Sequence, residues 1–428
     1  MPPQTPLAIR PTRVRFGILA MLFVTIAINY LDRSNLSVAA PHLAGDLHFD
    51  TRRMGLVFSA FGWAYALLQI PGGWLADRFG LRGLYALACL LWSLATVLQG
   101  FAGSFIALFA MRLLLGAFEA PAFPICSRVV TLWFPERGRA GATGCYIAGE
   151  FVGMAFLTPV LMLTQRTYGW HSVFIVTGGI GLLWAGAWWL LYRDPCQSRR
   201  VNAAELELIG AGGGWSAAPG AASPAAGINW GDLRDVLRRR QLWGIYLGQY
   251  ANSSMLWFFL TWFPTYLVRY RHFNLAQAGF LGSVPFLAAF FGVIVAGLLS
   301  DCLVRRGFSA TAARKAPLVG GLVLSTGIIG ANHVSDPRLV VLFLSMGLFG
   351  CGCASINWVL VSLLSPRHRV GLTAGVFNFI GNLPSIIVPI IIGFLVHGGN
   401  FEPALVFMSC VAFAGALAFI FLVGRVER

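Results

Sequence analysis

Twelve stretches of mostly apolar residues, each long enough to cross a lipid bilayer, follow one another along this 428-residue chain. They fall at about 16–40, 54–76, 83–105, 107–131, 140–164, 171–192, 241–268, 276–300, 313–332, 338–364, 370–397 and 403–424. A run of roughly 18 or more apolar residues reads as a membrane helix. In hydrocarbon the backbone can satisfy its polar groups only within a helix or a closed barrel. A barrel would need short alternating segments, and the chain has none. Only 11% of the residues are charged and 57% are hydrophobic, whereas an average soluble domain carries roughly 25% charge. The expected fold class is an all-α membrane protein with twelve transmembrane helices.

The net charge of +15 would suit a nucleic-acid partner, but the positions of the basic residues argue against one. With the N-terminus inside, 22 of the 31 basic residues fall in the tails and the even-numbered connections. Six fall on the opposite side, and Arg33, Arg112 and Arg128 lie inside helices. By the positive-inside rule both termini are expected in the cytoplasm. The segment before the first helix lacks an apolar core followed by a small-residue cleavage site, so it reads as a tail and not a signal peptide.

Metal and redox chemistry find little support. The eight cysteines show no paired extracellular spacing, and Cys351-Gly-Cys353 has no accompanying ligand cluster. These cysteines read as small helix-packing residues. The seven histidines lie near helix ends and do not cluster with the cysteines. A membrane enzyme would need a nucleophile or metal cluster at depth, so no enzyme activity, metal site or cofactor is expected.

The longest connection, 193–240, divides the chain into six helices and six helices. Its Ala-, Gly-, Ser- and Pro-rich part, 211–227, has the composition of a flexible linker. Residues 230–240 read as a short amphipathic helix on the inner surface. The two sides of this connection resemble each other. Gly73-x-x-x-Asp77 matches Gly297-x-x-x-Asp301 at an offset of 224. Pro135 matches Pro366 at 231, and Pro159 matches Pro389 at 230. Two six-helix halves with a site at their interface is a transporter architecture. The expected organisation is a tail (1–15), an N-terminal bundle (16–192), a linker (193–240), a C-terminal bundle (241–424) and a short tail (425–428).

Asp32 and Arg33 stand inside the first apolar run. A charge at membrane depth costs about 3 kcal/mol on insertion scales, so the two residues face protein or a water-filled cavity. Arg33 offers a planar fork that suits a carboxylate; the alternative is a permanent ion pair with an acid of helix four. Tyr30 lies one turn from Arg33 on the same face. In helix four, Arg112 and Glu119 are two turns apart, roughly 10 Å along one face. Asp32, Glu119 and Glu150 are three candidate acids, set against Arg33 and Arg112. An unpaired charge in such a site is costly. Binding of an anion should therefore favour protonation of an acid, which links the two ligands. The apolar runs of the second half hold no acid and no mid-helix basic residue. Their polar candidates are Gln249, Asn252, Trp257, Asn357, Asn378 and Asn382, of which Asn378 and Asn382 are one turn apart. Each of these could equally be helix-packing glue.

Gly73-Trp-Leu-Ala-Asp77-Arg78-Phe-Gly80-Leu-Arg82 resembles the signature loop of the major facilitator superfamily. The runs Asn29-Tyr-Leu-Asp-Arg33, Arg112-x-x-x-Gly116-x-x-Glu119-Ala-Pro and Trp133-Phe-Pro-Glu-Arg-Gly-Arg-Ala140 narrow the resemblance to the anion:cation symporter family. The runs 257–266 and 375–382 look most like its bacterial branch of galactonate, glucarate and hexuronate permeases. The resemblance implies two pseudo-symmetric six-helix bundles, the major facilitator fold. It implies that Arg33 receives the substrate carboxylate, that Tyr30 and Tyr65 bind hydroxyls, and that Glu119 carries a proton with Asp32 as a second proton site. Asp77, Arg78 and Arg82 would latch the inner gate in the outward-open state, and Arg112 would serve as a gate ion pair. Glu150 departs from the neutral polar residue of such permeases. It could be a further proton site, an acid held neutral by packing, or a determinant of substrate polarity.

The expected function is proton-coupled symport that imports a small organic anion, most plainly a sugar acid, across a bacterial inner membrane. The proton gradient is the energy source and the working unit is a monomer. Export or antiport of an organic anion or drug is the alternative. A channel fits the two-half repeat and long linker less well.

Overall fold

The computed structural model describes residues 10–214, 230–365 and 370–424. These residues form helices and contain no β-strand. Before the central connection come α1 (Val14–Asp46), α2 (Thr51–Arg78), α3 (Leu81–Gln99), α4 (Phe105–Glu119), α5 (Ala122–Trp133), α6 (Glu136–Tyr168) and α7 (Trp170–Leu191). The connection carries α8 (Ala203–Ala211) and α9 (Trp230–Arg238). After it come α10 (Arg240–Thr261), α11 (Phe263–Thr265), α12 (Leu275–Arg305), α13 (Ala310–Ser325), α14 (Pro337–Ala354), α15 (Asn357–Leu364), α16 (Val370–Asn382), α17 (Pro384–Leu395) and α18 (Glu402–Phe421).

The helices outnumber the twelve spans because proline divides some spans in two. The helices α4 and α5 make one span, Phe105–Trp133, interrupted at Pro121, which has no N–H to give to the turn before it. Similarly, α16 and α17 make the span Leu372–Leu395 with a step at Pro384. Ten spans are long and apolar enough to cross a membrane by length and composition. The other two are α10 with α11, and α13 with the 3-10 segment Thr326–His333. Side-chain caps fix several starts: Asp50 accepts from Arg53 N, Ser104 from Ala107 N, and Asn274 forms a capping box with Gln277.

The connection is more ordered at its start than its composition suggests. The Asn202 side chain caps α8, and fully buried Glu205 in the first turn of α8 reaches back to the start of α1. There it accepts from the Thr12 hydroxyl and from the backbone N–H groups of Val14 and Arg15, and it pairs with the Arg15 guanidinium at 3.6 Å. A carboxylate at a helix N-terminus satisfies orphan donors and meets the positive end of the dipole. Arg139 completes the attachment by donating to the carbonyls of Thr131 and Gly213. The expected amphipathic helix at the downstream end is present as α9. The Gly- and Ala-rich segment, apart from 211–214, lies outside the described residues, as do 1–9, 366–369 and 425–428.

The attachment of α8 defines a linker face of the molecule, where α1 begins. On the opposite, far face the two halves meet closely. A Cβ at Gly55 of α2 would stand 2.6 Å from the Pro389 carbonyl oxygen of α17, and one at Gly279 of α12 would stand 3.1 Å from Pro159 Cα of α6. These two contacts are repeats of each other. Gly55 and Gly279 differ by 224 residues, as Asp77 and Asp301 do, and Pro159 and Pro389 differ by 230. Toward the linker face several glycines of these spans make no close contact. A Cβ at Gly73 of α2, Gly141 or Gly144 of α6, Gly297 of α12 or Gly375 of α16 would meet nothing within 4 Å. The halves are held closely together on the far face by these two joints.

Candidate functional site

Arg33 occupies the middle of α1 and is only 4% exposed. Its guanidinium carbon lies 4.8 Å from the Tyr30 ring centre, 4.7 Å from Tyr65, 5.0 Å from Phe61 and 5.8 Å from Phe123. Four aromatic faces make a cage that suits a cation. Its Nε donates to Glu119 Oε2 at 2.9 Å. Two polar atoms in this pair stay without a protein partner: Arg33 Nη2 and Glu119 Oε1. A buried ion pair is stabilised only when its remaining donors and acceptors are also satisfied. Nη2 has no acceptor at hydrogen-bond geometry, and the Tyr65 hydroxyl lies beside the guanidinium.

Helix geometry explains why Asp32 does not share this cage. Neighbouring residues on a helix point about 100° apart, so Asp32 turns toward α3 and α7. Its Oδ2 would be 3.8 Å from a Cβ at Gly181, and Thr177 and Trp92 are its polar neighbours. Both carboxylate oxygens are buried without a hydrogen-bond partner among the described residues, as is the Trp92 indole N–H. Arg33 is thus paired with the helix-four acid and not with its own neighbour in sequence.

Arg112 does not hold the gate position expected of it. It is fully buried in the first half, lies over the Phe61 ring at 5.6 Å, and donates to the backbone carbonyls of Asp32 and Arg33 at 3.4 and 3.5 Å. Seven residues separate it from Glu119, which places both against α1, so it braces α4 on α1 and pairs with no acid of the second half among the described residues. Glu150 is 7% exposed in the middle of α6 and lies beside the Tyr30 hydroxyl. Tyr146, one turn earlier, packs on Phe123 of the cage at 6.5 Å between ring centres.

The second half contributes unevenly. Trp257 packs on Phe61 at 5.8 Å and so borders the cage. Asn382 donates to Asn378 Oδ1 at 3.1 Å and to Gln69 Oε1, across the halves, at 3.4 Å. Gln69 is one turn from Tyr65, which brings this pair beneath the cage. Buried Asn252 keeps its Oδ1 unpaired. Gln249 bonds Ser253 on its own helix at 3.2 Å. Asn357 is fully buried: its Nδ2 holds the Ile245 carbonyl at 3.0 Å, joining α15 to α10, and its Oδ1 is unpaired like that of Asn252.

At the signature loop, Arg82 donates to the Trp189 carbonyl at 2.7 Å, Arg78 is exposed over Trp74, and Asp77 lies in the last turn of α2. The Trp189 carbonyl and the Trp74 ring both belong to the first half. Far-face closure involves residues that sequence reasoning passed over. Arg269, one of the six basic residues placed opposite the tails, donates through Nε and Nη2 to the Pro41 carbonyl near the end of α1. The Thr51 hydroxyl donates to the Val396 carbonyl at 3.0 Å. Phe61 and Phe123 were also missed. Phe61 carried a signal, lying four residues before Tyr65 on the same helix face.

Twelve membrane helices in two repeat-related halves, joined tightly on one face, with a caged arginine in the first half bordered by Trp257 of the second, define a membrane transporter. Residues 22–383 match the Major Facilitator Superfamily, and the chain belongs to that family. It is 48% identical to a D-galactonate transporter of Escherichia coli O6:H1 strain CFT073, over 98% of each chain. It is 41% identical to a probable galactarate/D-glucarate transporter of Bacillus subtilis strain 168, over 98% of this chain and 94% of the relative. These relatives match the sugar-acid branch to which the runs 257–266 and 375–382 point. Among solved structures, the xylose transporter of E. coli in an inward open conformation superposes with a TM-score of 0.74 at 13% identity, covering 96% of this chain and 97% of that one. A bacterial homologue of the human lysosomal transporter Spinster, inward-facing and unoccupied, gives 0.72 at 21%, covering 96% and 95%. At these identities the two structures speak for the fold alone. The protein is a multi-pass membrane transporter and not an enzyme.

Proposed function

We propose that the protein is a proton-coupled importer of a sugar acid, a hexonate, hexarate or hexuronate, across a bacterial inner membrane. The observation that carries this reading is the Arg33 cage: one guanidinium, bonded to Glu119 through Nε, with Nη2 unpaired. An incoming carboxylate takes Nη2 and competes with Glu119 for the rest of the fork. A Glu119 carboxylate released from Arg33 is a buried charge without a partner, and it is relieved by taking a proton. Anion and proton thereby favour each other's binding, which is the thermodynamic content of symport. Asp32, on the other side of α1, is the second proton site. Tyr30, Tyr65, Trp257 and the Asn378–Asn382 pair line the path for hydroxyl groups. The linker face is the cytoplasmic face, with both termini on it, and the present conformation is open inward. Rocking about the repeated glycine–proline contacts would open the far face and bring Asp77, Arg78 and Arg82 into a closed inner gate. The working unit is a monomer and the proton gradient is its energy source.

The experiment is uptake of labelled D-galactonate into proteoliposomes under an imposed pH gradient. Saturable accumulation driven by an inward proton gradient is expected. Uptake indifferent to that gradient, or driven by an outward one, would overturn the symport reading.

A further inference from the structure

On the side of α1 turned away from the cage, the first half holds a second set of buried polar groups. Asp32, Asn35, Trp92, Ser93, Thr96 and Gln99 are fully buried, and each keeps a polar atom without a hydrogen-bond partner among the described residues. They lie close together. Ser93 Oγ and Asp32 Oδ2 share the space over Gly181 of α7: a Cβ there would collide with the hydroxyl and stand 3.8 Å from the carboxylate. Thr177 neighbours Asp32, and its hydroxyl accepts from Asn35 Nδ2 at 3.1 Å. Trp92, Thr96 and Gln99 follow one another at steps of four and three along one face of α3.

The set runs toward one face. Helix α3 starts at the linker face and ends at Gln99. A Cβ at the next residue, Gly100, would stand 3.0 Å from the carbonyl oxygen of His171, an exposed residue at the far-face end of α7. Asn35 is likewise one turn from Asp32 toward the far end of α1. On the linker side of Asp32 large rings fill the bundle instead: Tyr85 lies 5.5 Å from Trp92 and 4.3 Å from Trp188, and Trp188 lies 4.6 Å from Tyr192, between ring centres. In α13, the third span of the second half, the buried polar side chain is Ser325, whose hydroxyl is bonded to the Gly347 carbonyl at 2.8 Å. The ionisable side chains that face Asp32 are Glu119 and Arg112 of α4 and Cys89 of α3, and α7 carries only His171, at its far end.

We propose that this set is a proton route inside the first half, joining the far face to Asp32 and separate from the path the substrate takes between the halves. The proposal rests on Asp32 as a proton site. Buried hydroxyls and amides that lack a protein partner are the groups that hold ordered water. A file of hydroxyls and water passes a proton by making one O–H bond as it breaks the next, and the proton ends on a carboxylate oxygen of Asp32. Gln99 and Thr96 stand at the entry, and Ser93 stands beside the acid. Leaving such groups unpaired is costly, and apolar residues of the same shape would remove the cost, so packing alone does not account for them. The rings on the linker side keep the route from crossing the whole bundle, which would dissipate the gradient.

The test compares two activities of the full-length protein in proteoliposomes: uptake of labelled D-galactonate driven by an inward proton gradient, and exchange of labelled for unlabelled galactonate, which needs no net proton movement. Thr96→Val and Gln99→Leu keep the size of the side chain and remove its polar atoms. Each should slow gradient-driven uptake at least about tenfold, with exchange unchanged. The unfolding midpoint of Thr96→Val should hold or rise, because the hydroxyl it removes has no protein partner. Thr96→Ser, which keeps the hydroxyl, should transport like the wild type. Wild-type uptake in both Thr96→Val and Gln99→Leu, an equal loss of uptake and exchange, or a Thr96→Ser protein as slow as Thr96→Val overturns the proposal. Wild-type gradient-driven uptake in Asp32→Asn overturns the proton site beneath it, and the route falls with its destination.

Discussion

The two halves of the molecule kept the same joints and divided the chemistry. Gly55 on Pro389 and Gly279 on Pro159 are the same contact seen twice, made by repeat-related residues on the far face. The charges are not shared. Asp32, Arg33, Arg112, Glu119 and Glu150 are all in the first half, while the second half presents Trp257, Asn378 and Asn382. A hinge needs two matched surfaces, so the repeat survives there. A binding site for an asymmetric anion needs one cation and a set of hydroxyl partners, and there the halves diverged.

The sharpest way to break this comparison is to remove the cation. Arg33→Ala leaves Glu119 buried without its partner, and breaking a buried pair costs about 3–5 kcal/mol. Uptake of D-galactonate should fall by two orders of magnitude or more, with binding lost in fluorescence titration. The joints come next. Valine at Gly55 must displace the Pro389 carbonyl, and overpacking of this kind costs about 1–3 kcal/mol. Gly55→Val should slow transport roughly tenfold and raise the reactivity of far-face cysteine probes, because the closed state is the one penalised. Gly279→Val should act in the same direction and more weakly, since its Cβ has 3.1 Å instead of 2.6 Å. A Gly55→Val protein with normal transport and normal far-face protection would separate the two joints.

Much of this was legible in the sequence. The spans and the repeat follow from apolar runs and offsets, the nearness of Tyr30 to Arg33 follows from helix periodicity, and Tyr65 and Glu119 joined them through the family resemblance. The separation of Asp32 from Arg33 is implied by the turn of a helix, yet adjacency in sequence suggests a pair. Three features had no sequence signal. Arg112 finds backbone carbonyls, which carry no residue identity. Arg269 reaches Pro41 across 228 residues. The docking of α8 depends on Glu205 meeting the start of α1, and a polar segment before a flexible stretch does not announce that contact.

The smallest effects distinguish ligand from scaffold within the second half. Asn382→Ala should weaken D-galactonate binding a few-fold while leaving thermal stability near wild type. Asn357→Ala should do the reverse. Losing its bond to the Ile245 carbonyl removes about 0.6–1 kcal/mol, lowering the unfolding midpoint by a few degrees with affinity unchanged. If both asparagines affected binding alike, α15 would belong to the site after all.

The central claim is that the anion displaces Glu119 from Arg33 and thereby brings a proton with it. The direct measurement is proton movement into proteoliposomes on addition of D-galactonate, wild type against Glu119→Gln. The account predicts galactonate-dependent proton influx in the wild type. In Glu119→Gln it predicts loss of that influx with exchange of labelled for unlabelled galactonate retained. Proton influx at the wild-type ratio in Glu119→Gln would contradict it.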